Sequence, residues 1–577
     1  MEKASIDERL KIKSYKNFNV ALYIPVNNVL EASENVDAFD ARFQKIQKHI
    51  NIGRVYIESY RGKVFATKQQ LTEVKRYFES KNIACSGGIT TCDEDRRRGY
   101  ASLCYSNPVH RNIVETSVET LAEVFDEIIF DDFYFLNCKC EDCIREKKDR
   151  TWAQFRKDQK RQVTENLIMK TAHKVNPNCN VIVKFPQWYE DFEETGYDLR
   201  EDSDLFDSIY TGTETRNPNY SQQHLPKYLS YSIMRYYNSV LQGRNLGGWF
   251  DPFDATNSLN SYLEQGYLTL FAKANEITLF CFGALADDSN FRYFVPGLAQ
   301  CLDEIDGYLD KLGNPVGIAS YRPTNAKGED NLHSYLGTCG MPMEMSAEYD
   351  TEAKCMLLTE GAAYDIDIAD KMKQSLSNGA DIIVTSGFVR RMGEAFKEFA
   401  NITYSSRKAI VKNYADSKDQ GITIGGSYAG DEEILIPILD YCTNDVWELA
   451  AAYGTANNFP IVLRFTYDKG RISVITIPDN QGDLYHYPLR VLNIIRGLAE
   501  NSMSVSLSAP SNVLLFVYDN DHVIVRSDLD YAEVVTIKVP RTVKKAKNLV
   551  NGTEVIALNG KIAYQALPGV NYVFELM

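Results

Sequence analysis

The chain has 577 residues, more than one hydrophobic core accommodates, so several domains are expected. A formal net charge of −15 leaves little basic surface for a phosphate backbone, which excludes nucleic acid as a main partner and disfavours other polyanions. The N-terminus has no apolar leader and no stretch reaches the roughly 18 apolar residues of a membrane span, so a cytoplasmic protein is predicted, with its 12 cysteines mostly reduced. From residue 18 to about 312, short apolar runs alternate with amphipathic stretches. The strand candidates are "NVALYIPV" (19–26), "RVYIESY" (54–60), "IACSGGITT" (83–91), "EIIFDDFYF" (127–135), "NVIVKFPQW" (180–188), "DSIYTGTETR" (207–216), "LGGWFDPF" (246–253) and "EITLFCFGAL" (276–285). Eight strand–helix units, with no G-x-G-x-x-G after the first strand, predict an α/β fold of the (β/α)8 TIM barrel type rather than an open dinucleotide-binding sheet.

Active sites of such barrels lie at the C-terminal ends of the strands. Those ends carry Glu58, Asp131 with Asp132, Trp188 with Glu190, Glu214, Asp251 with Asp254, and Asp287 with Asp288. The mouth is therefore expected to be rich in carboxylates and aromatics, with no strand-end histidine or lysine. Beyond residue 313, "NPVGIASYRP", "AKCMLLTEG" and "GADIIVTSGF" read as strands of a second α/β unit, closed by the helix "PLRVLNIIRGLAEN". The tail is turn-punctuated and β-rich, a small sandwich. The expected domains are 1–312, 313–502 and 503–577.

Three cysteines follow the fourth strand as C-x-C-x-x-C: Cys138, Cys140 and Cys143. A closed tetrahedral zinc site needs a fourth ligand. The neighbouring loop after strand 3 offers Cys92 and Cys104, and Cys104, just ahead of the third helix, is the better placed. Four thiolates leave no open position, so the predicted zinc is structural and no organic cofactor is expected.

This barrel, followed by an α/β domain and a β-domain, resembles the family 42 β-galactosidases. Some members of that family hold zinc through one cysteine before the third helix and a C-x-C-x-x-C after strand 4, where Cys104, Cys138, Cys140 and Cys143 fall. The resemblance implies a second domain of glutamine-amidotransferase-like fold, a homotrimer and a carbohydrate substrate. It also marks a departure. Where the family has Asn-Glu at the end of strand 4, this chain has Asp131-Asp132, and the nearest counterpart of the late nucleophilic glutamate is Asp251.

An Asp-Asp pair at this position also resembles the substrate-assisted hexosaminidases. That resemblance implies that Asp131 orients an acetamido group, Asp132 is the general acid/base and Tyr134 or another tyrosine binds the oxazoline oxygen. The leading expectation is thus an exo-acting glycoside hydrolase of the β-N-acetylhexosaminidase kind. The alternative is a two-carboxylate glycosidase pairing Asp132 with Glu214 or Asp251, with Glu58, Trp188, Arg216 and Trp249 binding sugar. A non-catalytic carbohydrate-binding protein is the third reading. The seven histidines form no H-x-x-x-H pair, "GGSYAG" (425–430) lacks a following Lys-Ser/Thr, and Cys339 has no evident Glu–His partner set, so none of these marks a site.

Overall fold

The computed structural model describes residue 9 and residues 12–93, 101–215, 225–240, 243–253, 258–418, 423–454 and 457–577. All eight predicted barrel strands form: β1 Asn19–Ile24, β2 Arg54–Glu58, β3 Ala84–Ile89, β4 Glu127–Phe130, β5 Asn180–Phe185, β6 Ser208–Gly212, β7 Asn245–Phe250 and β8 Glu276–Leu279. They pair in parallel around a closed ring, with β8 returning to β1. The strands stop short of their apolar runs. In "EIIFDDFYF" the strand ends at Phe130, because the Asp131 carboxylate accepts the N–H of Asp132 and the chain tightens into a 3-10 turn, Asp132–Tyr134.

Alternation along a strand sends every second side chain inward. Tyr23, Tyr56, Ile129, Ile182 and Tyr210 form one apolar interior cluster with Trp249. Two residues further along the same strands come Glu58, Asp131, Lys184 and Gly212. A charged layer therefore caps an apolar one at the C-terminal end. The N-terminal end is closed by ion pairs instead. Arg54, Glu127 and Glu276 begin β2, β4 and β8. Arg9 bonds Glu127 at 2.6 Å and Glu276 at 2.9 Å, and Arg54 bonds the same two carboxylates. Burial opposes ionisation of Glu127, but Arg9 and Arg54 outweigh it and bring its pKa down to about 2.

The chain divides into two compact units, Met1–His224 with Val240–Asp310, and Leu225–Ser239 with Lys311–Met577. The helix Leu229–Val240 follows β6 in sequence, yet nearly all of it belongs to the second unit, where Ser232 bonds Ser334 and Arg235 bonds Glu344. Its Tyr- and Met-rich surface is buried on nearly every side.

The second unit holds a nine-stranded mixed sheet. Ile318–Tyr321, Met343–Ser346, Cys355–Leu358, Asp381–Thr385 and Gly470–Ile475 run parallel. The sheet extends through antiparallel strands to a long hairpin, Ile402–Lys418 and Thr423–Tyr441, at its far edge. "NPVGIASYRP" is two strands, not one. Pro315–Val316 joins a C-terminal sheet, and the chain breaks at Gly317, where a Cβ would meet the Met343 backbone at 2.8 Å. The tail forms a three-stranded sheet and, with Pro315–Val316, a six-stranded one around one shared apolar core, a sandwich. No helix among the described residues is long and apolar enough to cross a membrane.

Candidate active site and metal centre

The mouth of the barrel is organised around a residue that the strand-end reading left out. Lys184, on β5, is 2% exposed, and its ammonium lies 2.7 Å from Glu214 Oε1, 3.2 Å from Asp132 Oδ2 and 3.5 Å from Asp131 Oδ1. The expectation of a mouth without lysine is corrected here. The lysine sits inside an apolar run, where its polarity was masked, but it shares the parity of Ile182 and so points into the barrel. Burial opposes its charge, and the three carboxylates overcome that and hold its pKa above the ordinary lysine value.

Adjacent strand residues normally face opposite ways, yet Asp131 and Asp132 both reach Lys184, because the 3-10 turn begins between them. Their environments differ. Asp131 is buried and its oxygens accept from the Asp132 N–H, Thr90 and Arg61. Burial opposes its ionisation, but Lys184 and Arg61 prevail and keep it below the usual carboxylate range. Asp132 retains 24% side-chain exposure. Burial pushes it up, Lys184 pulls it down, and the charges of Asp131 and Glu214 bring it to about 7.

Glu214 is 3% exposed. Its Oε1 accepts from Lys184, while Oε2 accepts no hydrogen bond from any described residue. A Cβ on Gly212 would meet that Oε2 at 2.6 Å, so glycine there leaves the space the carboxylate occupies. Trp249 forms the floor: Lys184 Nζ lies 4.6 Å from the centre of its ring, which stacks on Phe280.

The other expected residues are distributed as follows. Glu58 is fully engaged, accepting from Tyr23, the Val26 N–H, Thr90 and Arg61, so it orients Arg61 rather than offering oxygens to a sugar. Tyr134 is turned behind β4, its hydroxyl bonded to Thr164 and its ring packed on Phe130 and Phe206; the 3-10 turn carries it out of the mouth. Trp188 lies in a ring cluster with Phe135, Phe192 and Tyr197, and Tyr197 donates to the Asp132 carbonyl at 2.8 Å. Asp251 is buried, and its Oδ1 accepts from the Phe253 N–H within its own loop. Asp287 caps the helix Asp288–Asp306 and Asp288 is exposed, so neither joins the carboxylate cluster. Arg216 and Asp254 lie outside the described residues. Arg61 and Tyr197 carry no sequence signal beyond their residue type: Arg61 is brought in by the short strand Tyr60–Arg61 that follows β2, and Tyr197 by a loop.

The sulfurs of Cys104, Cys138, Cys140 and Cys143 all lie within 4.8 Å of one another. Three of the separations are 3.4, 3.7 and 3.8 Å. Four thiolates around one tetrahedral ion at about 2.3 Å would stand about 3.8 Å apart, so the donor set can hold a metal ion. Cys104 is the fourth member, as expected, and Cys92 stays outside on the strand Cys92–Asp93.

Residues 7–294 match the family model described as "Probable glycosyl hydrolase, catalytic domain", and residues 504–569 match "Probable glycosyl hydrolase, C-terminal domain". Between them, residues 313–480 match the second domain of "Uncharacterized protein SSO3021". The Saccharolobus solfataricus protein of that name is 23% identical over 94% of this chain and 96% of its own length. Among solved structures, a catalytic mutant of a family 42 β-galactosidase from G. stearothermophilus superposes with a TM-score of 0.63 at 12% identity, covering 98% of this chain and 99% of that one. The α-L-fucosidase isoenzyme 2 from Paenibacillus thiaminolyticus gives 0.63 at 12% identity, covering 93% and 96%. A barrel with a carboxylate-lined mouth and a glycosyl hydrolase catalytic-domain model defines this chain as a glycoside hydrolase. Within that class its fold is similar to that of the family 42 β-galactosidase over 98% of the chain.

Proposed function

We propose that this enzyme is a retaining two-carboxylate glycosidase, with Asp132 as acid/base and Glu214 as nucleophile. The observation that supports it is the shared ammonium of Lys184. Because both carboxylates contact it, at 2.7 and 3.2 Å, the two contacting oxygens are no more than about 6 Å apart. Retaining enzymes space their carboxyls about 5–5.5 Å and inverting ones about 6.5–9.5 Å apart, so the spacing favours retention. Asp132, half protonated near neutrality and open to the mouth, gives its proton to the leaving oxygen while Glu214 bonds the anomeric carbon. Water then cleaves the glycosyl-enzyme, with Asp132 taking the proton back.

The substrate-assisted reading has one observation of its own. Asp131 is held ionised while Asp132 is held near 7, the split that an acetamido-orienting carboxylate beside a proton donor needs. It is the second reading because the Asp131 oxygens already accept from Asp132, Thr90 and Arg61.

The test is a panel of 4-nitrophenyl glycosides, each N-acetylhexosaminide paired with its parent hexoside and α-fucoside, β-galactoside and β-mannoside included. It is followed by trapping with the 2-deoxy-2-fluoro 2,4-dinitrophenyl glycoside of the preferred sugar. Cleavage of a plain glycoside and a covalent label on Glu214 are expected. Cleavage confined to N-acetylated members would transfer the mechanism to Asp131 and Asp132, and silence throughout would favour a carbohydrate-binding protein.

We assign the four-cysteine centre to structural zinc, because soft thiolates in a closed tetrahedral set select that ion. Protein purified without added metal is expected to contain about one zinc per chain. Cys140→Ser is expected to lower the melting temperature more than it alters kcat at a temperature where both proteins are folded. Metal-free wild-type protein with an unchanged melting curve would rule the assignment out.

A further inference from the structure

A buried cation stands behind the proton donor, on the side away from the mouth. Lys160, on the helix Trp152–Val163, is fully buried, and its ammonium bonds Asp202 Oδ2 at 3.2 Å. It also lies 3.4 Å from the centre of the Tyr197 ring and 4.5 Å from that of Tyr134. Both tyrosines are tied to the turn that carries Asp132. Tyr197 donates its hydroxyl to the Asp132 carbonyl at 2.8 Å, and Tyr134 is the last residue of the turn, its N–H bonded to the Asp131 carbonyl at 3.1 Å.

We propose that Lys160 is a positioning residue for the proton donor: sandwiched between Tyr134 and Tyr197, its ammonium fixes the 3-10 turn that aims Asp132 into the mouth. The inference rests on the assignment of Asp132 as general acid. An ammonium out of water binds aromatic faces more strongly than an exposed one, and here it grips two rings at once. Asp202 supplies the counter-charge and itself accepts the Asp198 N–H at 3.0 Å, so the cation is anchored to backbone on its far side. A methyl group in place of the ammonium would fill similar space but hold neither ring by its face. Lys160 touches neither Glu214 nor Lys184 among the contacts described, so its effect should fall on proton donation and not on nucleophilic attack.

That difference gives the test. Aryl glycosides of the preferred sugar are compared as phenyl and 2,4-dinitrophenyl derivatives, the second having a leaving group that departs without a proton. For Lys160→Met, kcat/KM on the phenyl glycoside is expected to fall about 100-fold, the scale of a 1 Å misplacement. On the dinitrophenyl glycoside it should stay within about 3-fold of wild type, since no proton transfer is needed there. Tyr197→Phe, which removes only the hydroxyl on the Asp132 carbonyl, should show the same dependence more weakly, and it decides the matter if Lys160→Met does not fold. Equal losses on both substrates, or no loss on either, would overturn the proposal. Asp132→Asn measured alongside separates the two layers: if its own losses ignore the leaving group, the acid assignment fails whatever Lys160 does. A readout without substrate is hydrogen exchange, with the amides of Tyr134 and Phe135 expected to lose protection in Lys160→Met. Unchanged protection there would count against the positioning role.

Discussion

Asp132→Asn is expected to lower kcat/KM on glycosides with poor leaving groups by about 10²–10⁴-fold, the usual contribution of a positioned acid. The same substitution is expected to make the protein more stable than wild type at alkaline pH. Both follow from one environment. Burial, Asp131 and Glu214 raise the carboxyl of Asp132 from its ordinary 3.8 to about 7. A group whose folded pKa is raised contributes its stability at low pH and loses it as pH climbs through the folded value. The penalty on wild type therefore builds up between about pH 4 and 7 and is complete above that, and asparagine, which cannot ionise, escapes it. The variant's melting temperature relative to wild type should rise from pH 5 to pH 8. Wild-type kcat/KM should fall above about pH 7 as the proton is lost, a limb absent from the variant's residual activity on dinitrophenyl substrates. A melting-temperature difference that ignores pH would mean that Asp132 is not the strained carboxylate of the site.

The barrel was legible because each strand is an apolar run between turn signals, and a strand buried on both faces needs no finer pattern. The ends were not, because the apolar run continues past the point where pairing stops. Phe133, Tyr134 and Phe135 read as strand, but the Asp131 carboxylate takes the next N–H and turns the chain. The strand pattern thereby predicts Tyr134 at the mouth, and it lies behind it. Position at strand ends marks the carboxylates Asp131, Asp132 and Glu214, whereas Lys184 lies within the apolar run of β5, and only its parity with Ile182 signals that it faces the interior. The four-cysteine cluster was legible from C-x-C-x-x-C and the fourth thiolate that a tetrahedral site needs. The hairpin Ile402–Lys418 and Thr423–Tyr441 was not, since "GGSYAG" looks like a loop and lies within a strand. Its glycines are tolerated where the Tyr428 and Asp416 side chains crowd the backbone.

Lys184→Met should be the most damaging single substitution in the barrel for stability and activity together. The ammonium is the partner of three carboxylates and nearly inaccessible to water. Removing one partner of a buried ion pair typically costs about 3–5 kcal/mol, because the charge left behind is uncompensated. Arg61 still faces Asp131 at 3.2 Å, so the excess falls on Asp132 and Glu214. Asp132 can relieve its share only by taking up a proton. Since Lys184 is what pulls Asp132 down, its pKa rises further without the lysine, and the alkaline limb of kcat/KM moves to higher pH. Glu214 loses its only hydrogen-bond donor among the described residues, so the attacking oxygen is no longer held in place and kcat should fall at neutral pH even though the acid is present. The sign of the stability change follows the same rule as for Asp132. A carboxyl pKa raised further at Asp132 costs stability as pH increases, so the variant's deficit in urea unfolding should be larger at pH 8 than at pH 5. Unfolding curves at those two pH values, with a pH–rate profile, check both halves. A deficit independent of pH beside an unmoved limb would show that the ammonium does not govern these carboxylates, and the assignment of Asp132 and Glu214 as a pair would lose its main support.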